Sequence, residues 1–255
     1  MAAKIAQFRF YAELNDFLRV RKRQKSFPYS FTGKPSIKDA IEAIGVPHPE
    51  VDLVVVNGQS VGFEQHLADG DSVSVYPMFE SFDISPVVRL RPAPLRDTRF
   101  VLDGHLGKLT RLLRMLGFDS LYRPDFANPE IVDVSSEEKR VILTRDVELL
   151  KANAVTHGYW VRAISPNQQV REVLERFDLH SQIHPFRRCM VCNATIASVE
   201  KDAVIQSLPD RVREKHNEFY RCAGCRKVYW KGTHYQEMMD QIQQLSGSES
   251  TGGPA

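Results

Sequence analysis

The sequence predicts a multi-domain protein that joins an α+β domain, an α/β domain with a parallel sheet, and a small metal-binding appendage. The N-terminal part follows a strand, a helix and further strands, a pattern typical of a helix packed on one sheet face. The middle part alternates short apolar strands with helices, and repeated β-α units favour a mainly parallel sheet. Two Cys-x-x-Cys pairs follow near the C-terminal end, and their spacing is that of a metal site.

The chain has 255 residues, 42% hydrophobic residues and a net charge of +2. That length predicts two domains, or two with an appendage. The composition excludes wholesale disorder, a collagen-like repeat and a coiled-coil rod. No apolar stretch approaches the roughly 20 residues that cross a bilayer, and the first residues lack the apolar core of a secretory signal. We therefore expect a cytoplasmic protein without a membrane span.

The N-terminal domain is expected over residues 1–85. Residues Ile5–Tyr11 alternate as a strand does, and Ser36 and Asp39 have the capping-box spacing that begins a helix. The β-branched run Val51–Val56 predicts a buried strand. The other predicted boundaries are a proline-rich linker over 86–98, an α/β domain over 99–180, a metal-binding segment with a closing helix over 181–245, and a disordered tail over 246–255.

Four cysteines form two close pairs, Cys189 with Cys192 and Cys222 with Cys225. Disulfides are rare in a reducing compartment, and two such pairs predict one structural Zn²⁺ held by four thiolates. Two disulfides or inert thiols are the alternative interpretation.

Two acids of the middle segment lie just after the ends of predicted strands. Asp103 follows the first strand and Asp146 follows the third. Because ligands bind beyond the carboxyl ends of parallel strands, we expect a Mg²⁺ or Mn²⁺ site there, since these ions prefer carboxylate oxygens. Such an ion orients a phosphodiester and generates hydroxide. The alternative is that both acids are solvated turn or cap residues.

Basic residues accompany this site. In the helix after Asp103, leucines occupy one arc while Lys108, Arg111 and Arg114 are expected on the opposite arc. A phosphate backbone near the acids would need such neutralisation. The alternative is a solvated helix face, which is a common use of charge.

The cysteine-rich segment is the most basic part of the chain. Residues 187–234 contain 10 Lys or Arg and 5 Asp or Glu, which gives +5. Arg188 and Lys231 are expected to hold phosphates and Trp230 to stack on unpaired bases. The alternative is that Trp230 and Tyr229 pack against the protein, since small metal domains need apolar support.

Three N-terminal motifs carry a first resemblance. Residues 9–14 (RFYAEL), 55–58 (VVNG) and 69–73 (DGDSV) resemble the ubiquitin-like β-grasp fold of small sulfur-carrier proteins. Those carriers end in a free Gly-Gly, whereas here the segment continues into another domain. We therefore expect it to dock a protein partner or present a substrate.

The middle and C-terminal motifs carry a second resemblance. Residues 100–109 (FVLDGHLGKL), 112–119 (LLRMLGFD) and 143–146 (LTRD) resemble the PIN-fold RNase domain at the C-terminus of the Mut-seven exonucleases. Residues 188–193, 222–225 and 228–234 resemble its trailing zinc ribbon. Bacterial members also carry a ubiquitin-like N-terminal domain. The resemblance implies a metal-dependent ribonuclease with Asp103 and Asp146 as metal ligands.

The family pattern also includes an acid at the start of the second helix. Asn128 stands where relatives have an aspartate. We expect Glu130, in the first turn of that helix, to be the third ligand, with Asp125 as the alternative. Arg145 is expected to help position phosphates.

Three functions remain open on the sequence alone. The first is a ribonuclease acting on tRNA, rRNA or mRNA, with structural Zn²⁺ and catalytic Mg²⁺ or Mn²⁺. The second is a non-catalytic RNA- or ribosome-binding module, in which the acids are only solvated. The third is an adaptor that docks through its β-grasp domain to a sulfur-transfer partner.

Overall fold

The computed structural model describes residues 3–77 and 98–247. The strands are β1 (Lys4–Phe10), β2 (Phe27–Phe31), β3 (Val51–Val56), β4 (Gln59–Val61), β5 (Ser72–Pro77), β6 (Phe100–Leu102), β7 (Ser120–Tyr122), β8 (Val141–Thr144), β9 (Gly158–Trp160), β10 (Ile196–Val199), β11 (Phe219–Cys222) and β12 (Val228–Trp230). The α-helices are α1 (Ile37–Ile44), α2 (Gly107–Met115), α3 (Asn128–Glu138), α4 (Val147–Leu150), α5 (Pro166–Arg176), α6 (Asp210–Lys215) and α7 (Thr233–Leu245).

The chain divides into two compact units. Among the described residues, the first unit holds 3–77 and 128–160, and the second holds 98–127 and 161–247. Most of the predicted linker and most of the predicted tail lie outside the described residues. None of the helices in the described ranges combines the length and the apolarity that a bilayer crossing requires.

The N-terminal sheet of the first unit has the strand order β2-β1-β5-β3-β4. Strand β1 runs antiparallel to β2 and parallel to β5, and its alternate residues Phe8 and Phe10 are buried, as the sequence pattern predicts. Ile37 and Ile41 of α1 join them in one core. Strands and one covering helix confirm the predicted α+β class.

Local signals determine the ends of these elements. The Ser36 side chain accepts from the Asp39 backbone and the Asp39 side chain accepts from the Ser36 backbone, so the predicted capping box begins α1. Asn57 and Gly58 have φ angles of 50° and 83° in the turn between β3 and β4, the positive values that a tight hairpin requires. The Asn57 amide also donates to Asp71 Oδ1 at 2.8 Å, which ties this hairpin to the start of β5.

The segment 128–160 packs against the N-terminal sheet domain within the first unit. Its strands β8 and β9 pair in parallel. Glu50 is fully buried, and its Oε1 accepts from the Trp160 backbone N–H at 2.7 Å. His48 Nε2 lies 2.8 Å from the Val155 carbonyl oxygen, and the Phe17 ring lies 5.0 Å from that of Trp160. Buried polar contacts therefore anchor β9 to this domain, because such groups are costly when unpaired.

The second unit begins with a strand-helix-strand segment. Strands β6 and β7 pair in parallel, and α2, which connects them, packs against α5. The apolar arc of α2 and its flanks is fully or almost fully buried: Leu106, Leu109, Leu113 and Leu116. Parallel pairing with intervening helices confirms the predicted α/β class.

The C-terminal part of the second unit is built on an antiparallel sheet, called the ribbon sheet here, with the order β10-β11-β12. The chain between β10 and β11 forms an extension that includes α6. Its residues Val204 and Leu208 pack with Phe219 in a small core. Helix α7 then packs against α5, and Arg171 donates to the Gln244 carbonyl at 3.0 Å.

Gly117 permits a close backbone approach after α2. Its φ is +101°, and a Cβ there would lie only 2.1 Å from the His184 carbonyl oxygen. We expect Gly117→Ala to destabilise the protein by at least about 2 kcal/mol, because both the backbone angle and the clash oppose a side chain. Urea denaturation measures the effect. Gly70→Ala is the matched control, since Gly70 has φ +84° and open space around it. An equal loss in both variants would contradict the role of the close approach.

Candidate functional site

Four cysteine side chains converge in the second unit. The sulfurs of Cys189, Cys192, Cys222 and Cys225 lie within 4.8 Å of one another, and all four are free thiols. The Cys189–Cys225 and Cys192–Cys222 sulfur distances are 3.6 and 3.3 Å. A tetrahedral zinc ion with bonds of about 2.3 Å places its sulfurs about 3.8 Å apart. The cluster can therefore hold a metal ion such as zinc.

Two tight turns bring these thiols together. Asn193 and Arg226 each follow the second cysteine of a pair and have φ angles of 70° and 64°. In the first turn the Asn193 backbone N–H donates to the Cys189 carbonyl at 2.9 Å. The Ala223 N–H donates to the Thr195 carbonyl at 2.9 Å, so the two turns are also bonded to each other. Backbone hydrogen bonds within and between the two turns therefore hold the two pairs of cysteines next to each other.

The environment of the cluster shifts the pKa values of its thiols in opposite directions. Burial raises the pKa of Cys192, but hydrogen bonds from the Ala194 backbone and the Cys222 thiol outweigh it and lower that pKa to about 6. Burial and the Cys192 thiol raise the pKa of Cys222 to about 12. The Cys192 thiolate is therefore available near neutral pH, and a metal ion that binds the cluster must displace the proton of Cys222.

Tyr229 is bonded to the cluster. Its hydroxyl lies 3.0 Å from Cys189 Sγ. Burial and the Cys189 thiol raise the pKa of Tyr229, so the phenol keeps its proton and can donate to a thiolate. Bonds of this kind orient metal ligands.

Arg114 has a structural role, and the prediction that it contacts phosphate is wrong. Its side chain is 5% exposed. Nε donates to the Ser120 carbonyl at 2.9 Å, and Nη1 donates to the Val191 carbonyl at 2.9 Å. Burial lowers the pKa of this guanidinium. Arg114 therefore joins α2 to the first cysteine turn. Arg114 lies four residues after the buried Thr110, so the two residues share the buried face of α2. Lys108 and Arg111 are exposed.

Asn193 is a second link that the sequence analysis missed. Its Oδ1 accepts from the Ser120 N–H at 2.9 Å, and its Nδ2 donates to Asp119 Oδ1 at 2.7 Å. Asp119 also pairs with Arg188 at 3.2 Å. The predicted phosphate contact of Arg188 stays a prediction, but this arginine already has an acidic partner inside the unit. The left-handed residue after a Cys-x-x-Cys pair is the signal that could have identified Asn193.

Asp103 and Asp146 each cap a helical turn within two residues of the end of a strand. Asp103 follows β6, is 4% exposed, and accepts from the His105 N–H at 2.8 Å through Oδ1. Asp146 follows β8 and accepts from the Glu148 N–H at 3.0 Å through Oδ1. Both carboxylates thus have a fixed orientation at the strand ends where the sequence places them.

Asn128 is the side chain that the structure brings to Asp146. Its Nδ2 donates to Asp146 Oδ2 at 3.0 Å. Glu130 lies exposed in the first turn of α3, and Asp125 is exposed with its Oδ1 3.6 Å from Arg123 Nε. The ligand roles of Glu130 and Asp125 stay predictions. So do the phosphate contacts of Lys108, Arg111 and Arg145, all of which are exposed.

Two protein families match the chain, one over its C-terminal part and one over its N-terminal part. Residues 98–242, more than half of the chain, match the family described as the Mut7-C RNAse domain. The chain belongs to the Mut7-C RNase family. Residues 3–83 match the Mut7-C ubiquitin family. The predicted membership in this RNase family and the predicted ubiquitin-like N-terminal domain are therefore confirmed, and membership in the Mut7-C RNase family supports a nuclease-like function.

The other comparisons add little to the family match. No curated protein matches the chain. Among solved structures, the chain is similar to SAMP1 from Haloferax volcanii, with 15% identity, a TM-score of 0.25, and coverage of 31% of this chain and 99% of that one. It is also similar to H. volcanii small archaeal modifier protein 1, with 16% identity, a TM-score of 0.24, and coverage of 29% and 97%.

Gly224 allows the two cysteine turns to approach each other. A Cβ at this position would lie 2.9 Å from Ala194 Cβ and 3.3 Å from Cys192 Sγ. We expect Gly224→Ala to weaken zinc affinity about 10-fold or more, as other disturbances beside a metal ligand do. Competition with a chromogenic chelator measures the affinity. Gly62→Ala, at a glycine with open space, should bind zinc like the parent, and a Gly224→Ala protein that does so too would contradict the prediction.

Proposed function

We propose that this Mut7-C protein is a metal-dependent ribonuclease that hydrolyses RNA phosphodiester bonds. The observation that carries the proposal is the RNase family match over a region in which Asp103 is the first residue after β6 and Asp146 is the second residue after β8. In this proposal the region has a PIN-like fold, and a zinc ion on the four thiolates has a structural role only.

Asp103 and Asp146 are proposed to hold Mg²⁺ or Mn²⁺. Carboxylate oxygens are the ligands that these hard cations prefer, and the donor chemistry of the two side chains therefore fits. When bound, the ion would activate a water molecule and stabilise the leaving oxygen. The backbone N–H groups of His105 and Glu148 hold the two carboxylates in orientation.

The surrounding residues are proposed to complete the site. Glu130 is the proposed third ligand, with Asp125 as the alternative. Asn128 is proposed as a positioning residue, since its amide holds Oδ2 of Asp146. Exposed cations on and near α2 and α4 would neutralise substrate phosphates: Lys108, Arg111 and Arg145.

A second candidate function is a non-catalytic RNA- or ribosome-binding module. The observation that favours it is that Asp103 and Asp146 each cap the turn that follows them, which is a sufficient structural reason for an aspartate. The ubiquitin-like domain also supports binding to a protein partner. If the protein is an adaptor, that partner would be a sulfur-transfer protein. The proposed location is the cytoplasm, where a site of four free thiols is compatible with the reducing conditions.

Substitution of the two aspartates tests the enzyme proposal. We expect Asp103→Asn and Asp146→Asn each to lower cleavage of labelled RNA in Mn²⁺ by more than about 100-fold, because even residues behind a metal ligand contribute 10–100-fold. The assay uses full-length protein freed of host nucleases. Asp133→Asn, at an exposed position of α3, is the matched control and should cleave like the parent. Cleavage at the parental rate by both site variants would refute the assignment.

Asn128 tests how the site is oriented. We expect Asn128→Ala to raise the Mn²⁺ concentration for half-maximal cleavage about 10-fold, because Asp146 loses a hydrogen-bond donor. Asn128→Asp should lower that concentration if this side chain faces the ion, because it adds a carboxylate ligand. A Mn²⁺ titration of both variants gives the answer, and an unchanged midpoint in both would show that Asn128 does not act on the site.

A further inference from the structure

The two faces of the ribbon sheet have different partners. Val199 and Trp230 pack on one face around the small core of the extension, beside the buried Phe219. Because side chains alternate along a strand, the neighbouring positions point to the opposite face. There, Ser198 is in register with Tyr220, and Tyr220 with Tyr229, so that these three side chains form one row across the sheet.

This second face lines a cavity of about 310 Å³, called the ribbon pocket here. Its floor is the row just described, together with Ile196, and its walls come from residues 185–188, from Met190, and from Tyr235 and Met238 of α7. The volume is at the lower end of ligand pockets, which span roughly 300–1,000 Å³. It therefore suits one flat ring system with its attached sugar.

The lining combines aromatic rings with cations. The Phe186 and Tyr235 rings lie 5.0 Å apart, and Lys231 Nζ lies 6.0 Å from the centre of the Tyr220 ring. Arg187 adds an exposed guanidinium. Lys231 has Glu218 as a partner at 2.8 Å, and that exposed pair is weak enough to exchange for another anion. Aromatic faces beside cations recognise an unpaired base and its phosphate.

We propose that the ribbon pocket binds one unpaired base of an RNA strand, with Tyr220 as the stacking platform and Arg187 and Lys231 as phosphate contacts. This inference rests on the proposed function for the identity of the ligand as RNA. It assigns single-stranded RNA as the substrate class, because the bases of a duplex are stacked on one another and cannot enter a pocket.

The assignment differs from the sequence-based one in its main aromatic residue. Trp230 lines the edge of the pocket, but it also packs on the small core of the other face. Tyr220 and Tyr229 lie on the pocket face itself, and the Tyr229 hydroxyl is bonded to Cys189 Sγ. The pocket floor is thus attached to the cysteine cluster, and its shape depends on the metal site.

Binding without cleavage tests the proposal. Full-length Asp146→Asn protein, loaded with zinc and free of Mg²⁺ and Mn²⁺, is titrated into a fluorescein-labelled single-stranded RNA of about ten nucleotides, and anisotropy reports binding. We expect Tyr220→Ala to weaken binding about 5- to 150-fold, the range for loss of one stacked base. The matched variant Tyr220→Phe keeps the ring and should bind within about twofold of its parent.

A second measurement needs no change in the pocket. The chain has two tryptophans, so a Trp160→Phe protein reports Trp230 fluorescence alone. We expect quenching by the single-stranded RNA, and none by an abasic strand of equal length or by a blunt duplex. The quenching measurement tests base binding in the ribbon pocket even if Tyr220→Ala loses its zinc and fails to fold.

The outcomes separate this inference from the nuclease proposal. Base-dependent binding in a protein that never cleaves RNA would support the pocket and refute only the enzyme proposal. Equal binding by Tyr220→Ala and its parent, or equal quenching by the abasic strand, would overturn the pocket even if the protein cleaves RNA.

Discussion

The convergence of four thiols is the constraint on which the C-terminal half of the second unit depends. The ribbon sheet has a small apolar core of its own, with Val204, Leu208 and Phe219 as its buried members. A core of that size contributes little stability, and small domains of this kind need a metal or a disulfide. Because the four cysteines are free thiols, a bound metal ion is the element that can supply the missing stability.

The same cluster orders parts of the unit that contribute no ligand. The first cysteine turn presents carbonyl oxygens to Arg114 of α2 and an amide side chain, Asn193, to the start of β7. Helix α2 in turn follows the helical turn that Asp103 caps. A continuous set of backbone-directed bonds therefore runs from the metal-binding turns to the helix behind Asp103. A metal ion bound to the four thiols would stabilise this set, since each of these bonds needs the turn to keep its shape.

Sequence reasoning succeeded where the signal is local and failed where the partner is distant in the chain. The capping box at Ser36 and the paired cysteines depend on neighbours within three residues, so their spacing alone identifies them. Arg114 looks like any exposed helical cation until its acceptor at Val191, 77 residues away, is known. The sequence gives Asn128 a place in the family pattern but not its partner, because the contact with Asp146 requires the start of α3 to lie beside the residue that caps α4. Periodicity says which face a residue occupies and not what that face contacts.

Capping and metal binding are compatible roles for the two aspartates. A carboxylate oxygen has two lone pairs, so an oxygen that accepts one backbone hydrogen bond can still bind a cation. A simple capping residue needs only that one bond. Asp146 has more, since Oδ1 accepts from Glu148 and Oδ2 accepts from Asn128. Holding both oxygens fixes the plane of the carboxylate, which a cap does not require and a metal ligand does. The amide of Asn128 is therefore the feature that favours a ligand role over a solvated cap.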